Sequence, residues 1–258
     1  MAASHTVEPR FSVHSLHAYF LLPGSPLAPF LYSVQRTRDG GSFCTRHVTA
    51  QQSGDVVFEM TCSFQLSESG FEHAARVPAD APPPESLESS AQRWARYGGD
   101  PRVPARLRRE LAQRAAVPFP LDLRLVDPVD KLQPEARPAR QLAYMRAPER
   151  LPDDPALHSC VAAYGSDFAL LETALLPHAA SLPGPHISQM ASLDHAMWFH
   201  RPFRADEWLL FEMESPSACG GRGLSFGRLF NQQGDLVASV AQEGLIRRAG
   251  GEQLRAKL

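Results

Sequence analysis

The 258-residue sequence is poor in cysteine: Cys44, Cys62, Cys160 and Cys219 lie far apart, and none belongs to a C-x-x-C pair. A disulfide scaffold and a structural zinc site are therefore not expected, and a reducing compartment fits. The chain also lacks a charge excess, with Lys plus Arg at 26, Asp plus Glu at 28 and a net charge of -2. No global positive field draws in nucleic acid, so no such partner is expected and any anion site must be local. No run of 18 apolar residues occurs, which excludes a membrane-spanning helix. Residues 1–10 lack the apolar stretch of a secretory signal. Hydrophobic residues at 43% and charged residues at 21% exclude collagen-like, disordered and coiled-coil classes. What stands in excess is proline, 23 residues.

Eleven of those prolines fall between Pro78 and Pro138, together with Arg93, Arg96, Arg102, Arg106, Arg108, Arg109 and Arg114. Proline at this density interrupts ladders and helices. The stretch 69–139 reads as a linker with short helices over Glu85–Tyr97 and Pro104–Ala116. A solvated helix face accounts for the arginines better than a polyanion site does.

The flanks of that linker look alike. Ser15-Leu-His-Ala-Tyr-Phe20 answers Ser192-Leu-Asp-His-Ala-Met-Trp-Phe199, and Gln51-Gln-Ser-Gly-Asp55 answers Asn231-Gln-Gln-Gly-Asp235. Two landmarks at near-equal spacing imply an internal duplication. Within each copy the pattern is β. Leu31–Arg36, Ser42–Gln51 and Val56–Gln65 alternate in the first copy, as Trp208–Glu214, Gly223–Phe230 and Leu236–Ile246 do in the second. Turns are expected at Asp39-Gly40-Gly41, Ser53-Gly54-Asp55 and Gln233-Gly234-Asp235. Ahead of the second copy, Asp154-Pro155 marks a helix start. Leu157, Cys160, Val161, Tyr164, Phe168, Leu171 and Leu175 then recur at helical spacing. The matching helix of the first copy would lie before or around residue 1, so that copy is expected to be incomplete.

Three residues stand out chemically. Asp167 falls on the line Cys160–Tyr164–Asp167–Leu171, the face expected to pack on the sheet, where burial would raise its pKa toward that of a useful base. A break at Gly165-Ser166, with Asp167 capping a second helical segment, is the equal alternative. Gln242 is in phase with Leu236, Ala238, Val240 and Ile246, so it points inward and is either a satisfied core amide or a site residue. Ser192 sits on a strand, where small polar residues are common. Asp194, His195 and His200 lack a third ligand at metal-binding spacing, so no metal is expected. Gly223-Leu-Ser-Phe-Gly227 matches the G-x-S-x-G elbow, but it continues as strand and no histidine follows His200, so the hydrolase reading fails.

Taken together, Val161-Ala-Ala-Tyr-Gly-Ser-Asp-Phe168, Ser192-Leu-Asp-His-Ala-Met-Trp-Phe-His-Arg-Pro-Phe203 and Gly234-Asp-Leu-Val-Ala-Ser-Val-Ala-Gln-Glu-Gly244 strongly resemble the type II acyl-CoA thioesterases. The likeness covers about 11–66 and 140–248. It implies an α+β double hotdog, an antiparallel sheet wrapped around a central helix in two repeats. The implied domains are an incomplete first repeat lacking its strand and helix at 1–68, the linker at 69–139, a second repeat with the catalytic residues at 140–249 and a tail at 250–258. The family's catalytic acid, hydroxyl and amide fall on Asp167, Ser192 and Gln242. The resemblance implies hydrolysis of fatty acyl-CoA by an activated water, with no cofactor and no metal, and with homo-oligomers as in the family. Cys62 stands where Gln242 would align in the first repeat, so one active centre per chain is expected. Arg201, Arg204, Arg222 and Arg228 are candidates for the phosphates of CoA.

The ending Ala256-Lys257-Leu258 is one conservative step from S-K-L, the address read by the peroxisomal import receptor. Together with the resemblance it leads us to expect the peroxisomal matrix, with the cytosol as fallback. A first repeat without its helix exposes an apolar face. Either another chain covers it, or the chain is a shortened, non-catalytic acyl-CoA-binding or interaction form.

Overall fold

The computed structural model describes residues 1–117, 119–181 and 186–250. The first copy contains β1 (Ser12–Phe20), β2 (Leu31–Asp39), β3 (Phe43–Gln52) and β4 (Asp55–Gln65), in the spatial order β2-β3-β4-β1. β5 (Asp122–Leu125) lies within the linker stretch, and β6 (Arg140–Arg146) and β7 (Ile187–Ser192) follow it. The second copy contains β8 (Asp194–Phe199), β9 (Leu209–Cys219), β10 (Arg222–Phe230) and β11 (Leu236–Arg248), in the mirrored order β8-β11-β10-β9. Ser53 and Gly54 take φ of 54° and 95°, and Gly234 takes 84°, the left-handed backbone that tight hairpins need.

The two copies are not separate. β1 and β8 pair antiparallel, with Ser15 opposite Trp198 and Tyr19 opposite Asp194. This joins everything into an 11-stranded sheet, with β6 and β5 added beyond β9, and β7 pairing β11 from the side. The α+β architecture expected from the sequence is thus in place.

The linker holds more order than its prolines suggest. α1 (Ser90–Gly99) and α2 (Ala105–Ala116) pack through Tyr97, Val103 and Leu111. α1 starts later than Glu85 because Ser89 caps it: the Ser89 hydroxyl accepts from Gln92 N at 3.2 Å, and Gln92 Oε1 accepts from Ser89 N at 2.8 Å. Pro84–Ser86 form a separate 3-10 turn. β5 was not anticipated. Four residues are too few to show alternation, and its order comes from pairing with β6. Arg96 and Arg106 lie on exposed helix faces and pair with Glu88 and Glu110, and Arg102 pairs with Asp100 between the helices. Arg93 departs from the solvated reading: it is buried and donates to Ser90 Oγ at 3.0 Å.

α3 (Pro155–Ser166) starts where Asp154-Pro155 predicted, with Asp154 Oδ1 accepting from Ala156 N at 2.9 Å. Its buried residues are His158, Ala162, Gly165 and Ser166, whereas Tyr164 is half exposed. The face expected from apolar periodicity is therefore not the one that meets the sheet. Small residues win because they let the helix approach closely: a Cβ on Gly165 would lie 2.7 Å from Met145 Sδ. Tyr164 packs instead with Phe168 and Phe119. Below the helix, Met197, Phe211, Met213, Leu229 and Val237 form the main core with Ala162 and Leu170. The first copy has its own core of Phe11, Cys44, Val48, Cys62 and Phe64, joined by Ala3. Among the described residues, 1–66 contain one 3-10 turn, Ser4–Thr6, and no α-helix.

Candidate active site

The three residues singled out in the sequence come from three elements and meet. Gln242 is on β11, in the inward phase with Val240 and Ala238, and is fully buried. Ser192 ends β7, paired with Gly244 on β11. Asp167 is the C-cap of α3. Gln242 Nε2 donates to Asp167 Oδ1 at 2.6 Å and to Ser192 Oγ at 2.6 Å, while Ser192 Oγ donates to Asp167 Oδ1 at 3.1 Å. Both amide hydrogens and the hydroxyl hydrogen are thereby used, and one carboxylate oxygen receives two of the bonds.

Asp167 departs from both sequence readings of its setting. It is exposed rather than buried against the sheet, and it ends α3 instead of starting a second segment. Phe168 N bonds back to Gly165 O at 3.1 Å, and Ala169 then takes a left-handed φ of 64°. The carboxylate reaches Gln242 because the helix stops there. T-shaped contact of Phe168 with Phe119, centroids 4.8 Å apart, fixes the residue that follows.

Two further buried groups stand behind Gln242. His195 Nε2 is 2.9 Å from Ser166 Oγ, and both residues are almost completely buried. Burial lowers the His195 pKa, against the nearby Asp167 and Asp194 charges. Sequence reading met His195 in the duplicated landmark and as a possible metal ligand, and Ser166 as a possible helix break, and gave neither a part in the site. The signal available was alternation on β8, which places His195 in phase with the buried Met197.

Other expectations resolve locally. Asp194 Oδ1 accepts from Glu243 N at 2.9 Å and His200 Nε2 lies 2.8 Å from Ser239 Oγ, so neither joins His195. Gly223–Gly227 lies inside β10, with Ser225 buried in the strand and no elbow. The four arginines considered for CoA phosphates are all engaged in ion pairs. Arg201 meets Glu72 and Asp235, Arg204 meets Asp153 and Asp206, Arg222 meets Glu243, and Arg228 meets Glu212 and Glu214. Ala256-Lys257-Leu258 lies outside the described residues.

Comparison with known proteins adds the context. The family described as Acyl-CoA thioesterase matches residues 128–245, and the family described as Acyl-CoA thioesterase N-terminal domain matches residues 1–65. The chain is 43% identical over 249 residues to acyl-coenzyme A thioesterase 8 of Mus musculus, covering 96% of this chain and 77% of that one. It is 27% identical to peroxisomal acyl-coenzyme A thioester hydrolase 1 of Saccharomyces cerevisiae, covering 100% of this chain and 85% of that one. Among solved structures, an acyl-CoA thioesterase II of Mycobacterium marinum superposes with a TM-score of 0.75 at 44% identity, over 97% of this chain and 86% of that chain. A hot dog fold protein of Alicyclobacillus acidocaldarius gives a TM-score of 0.69 at 18% identity, over 95% and 83% of the two chains, a likeness of fold alone.

Proposed function

From the premise that this chain belongs to the acyl-CoA thioesterase family, with the double-hotdog fold that goes with it, we propose that Asp167, Ser192 and Gln242 carry its reaction. The chain is a thioester hydrolase that converts fatty acyl-CoA to the free acid and CoA. The observation that supports the site is the convergence of one carboxylate, one hydroxyl and one amide within 3.1 Å, from α3, β7 and β11.

In this reading the amide and hydroxyl fix the plane of the Asp167 carboxylate through Oδ1, and Oδ2 takes a proton from water. The oxygen of that water attacks the thioester carbonyl. The tetrahedral intermediate then expels the CoA sulfur, which leaves with the proton held by Asp167. Ser192 already donates its hydrogen to Asp167, so it orients rather than forming an acyl-enzyme. The test is Asp167→Asn, assayed by thiol release from a medium-chain acyl-CoA. A loss of kcat of about 10³-fold with an unchanged melting temperature is expected, and full activity would sink the assignment.

We carry two finer readings forward with it. The ending Ala256-Lys257-Leu258 is the proposed peroxisomal address, supported by similarity to a yeast protein named as peroxisomal. A fluorescent fusion at the N-terminus should gather in peroxisomes and disperse when Leu258 is deleted; unchanged location would remove that role. The chain is also proposed to form homo-oligomers, as its fold family does.

A further inference from the structure

A primary amide turned by half a rotation keeps its shape, yet only one orientation of Gln242 serves Asp167. An ionised carboxylate accepts hydrogen bonds and donates none, so Nε2 must face Oδ1, as it does. Oε1 is then turned into the protein, where it is buried and has no partner of its own. On the neighbouring strand, His195 Nδ1 is likewise buried and unpartnered. The two side chains belong on facing strands. β8 and β11 pair Met197 with Val240 and Ala196 with Ala241, and the next step of that register sets His195 opposite Gln242.

We propose that His195 is a positioning residue whose Nδ1–H donates to Gln242 Oε1 and so holds Nε2 toward Asp167 and Ser192. This rests on the reading of Asp167, Ser192 and Gln242 as the reacting set. For Nδ1 to carry the hydrogen of a neutral ring, Nε2 must accept, so the single Ser166 hydroxyl hydrogen, which has Ala163 O at 3.0 Å as its other acceptor, turns to Nε2 at 2.9 Å. Ser166 immediately precedes Asp167, so the end of α3 fixes the carboxylate directly and the amide through the imidazole. Ser225 lies opposite Gln242 on β10, also with an unpartnered buried hydroxyl. A hydroxyl rotates to suit either amide orientation; an imidazole held at its far nitrogen does not.

The first copy supplies the contrast. β1 and β8 pair Leu16 with Met197 and Ala18 with His195. Cys62 follows the turn residue Gly54 at the same spacing as Gln242 follows Gly234, and Leu16 stands to Cys62 as His195 stands to Gln242, so Leu16 is the counterpart of His195. Leu16 lies opposite Cys62 on β4, and Cys62 is the counterpart of Gln242. Where the glutamine is replaced by a residue without an amide, the histidine is replaced by one without a donor.

The experiment measures kcat and KM for a medium-chain acyl-CoA on the full chain, with a melting temperature for every variant. His195→Leu installs the first copy's residue, and His195→Asn keeps an N–H near the place of Nδ1. We expect His195→Leu to lower kcat about 10²-fold, with KM unchanged within about twofold, and His195→Asn to recover most of the loss. Adding His195→Leu to Gln242→Ala should cost nothing further, because the effect passes through that amide. Equal losses in the Leu and Asn variants would overturn the proposal, as would a further loss in the double variant or a Ser225→Ala loss equal to that of His195→Leu. If His195→Leu fails to fold, Ser166→Ala keeps the ring and frees its tautomer; lowered kcat supports the role and unchanged kcat refutes it. Full turnover in Gln242→Ala would remove the reading of the site, and this inference with it.

Discussion

The two copies share strand order, turns and an inward-facing row, and they differ in what fills that row. In the second copy the central positions are His195, Gln242 and Ser225, all buried and polar, and the end of α3 delivers Asp167 to them. In the first copy the same positions are Leu16, Cys62 and Arg46. Burial pushes the Cys62 thiol up to about 11, so it remains protonated at neutral pH. Arg46 is fully buried and works as a tie. Its guanidinium reaches Thr6 Oγ1 at 2.8 Å, Thr6 O at 3.0 Å and Arg38 O at 3.0 Å, and pairs with Asp39. One scaffold thus serves packing at one end and chemistry at the other. Three side chains and one helix terminus account for the difference.

The sharpest way to break the comparison is the roughly 10³-fold loss expected of Asp167→Asn, for which the first copy offers no carboxylate to substitute. Next comes Gly244, on β11 beneath the 3-10 segment Leu171–His178. A Cβ there would lie 2.2 Å from Leu171 Cδ2 and 3.0 Å from Ala191 O. Gly244→Ala should cost about 1–3 kcal/mol by overpacking and lower kcat by displacing the segment that follows Asp167. A thermal melt and the thiol assay read both effects, and an unshifted melt would mean that Leu171 relaxes freely. Smallest is Arg46→Leu. Loss of its bonds to the carbonyls of Thr6 and Arg38 should cost about 2 kcal/mol while kcat stays within about twofold. A urea midpoint equal to that of the parent would deny Arg46 its tying role, and a large kcat loss would mean that the copies are coupled.

Much of this was legible in the sequence. Gly54 and Gly234 locate their hairpins, Asp154-Pro155 locates the start of α3, and alternation places Gln242 inside. Distances between distant segments were not legible, and the face of α3 was misread for that reason. Apolar count favoured Tyr164 and Phe168, whereas close approach favoured His158, Ala162 and Gly165. The duplicated landmarks hid a second lesson. Ser15-Leu-His and Ser192-Leu-Asp-His differ by one residue, and one residue in a strand is a change of face. His17 accordingly lies opposite Ala196 and meets Trp198 edge-on, while His195 turns inward behind Gln242. β5 escaped because only its partner makes it a strand.

The β1–β8 seam joins segments about 180 positions apart, and that separation sets an order of events during synthesis. Strands β1–β4 leave the ribosome first, with the β1 edge that β8 will occupy still unpaired. At roughly 5–20 residues per second, that edge waits about 10–40 s before its partner has been made. Throughout that interval, Ser15–Tyr19 offer a row of backbone donors and acceptors to any extended chain that comes near. Completion of the second copy is therefore also the event that closes the first.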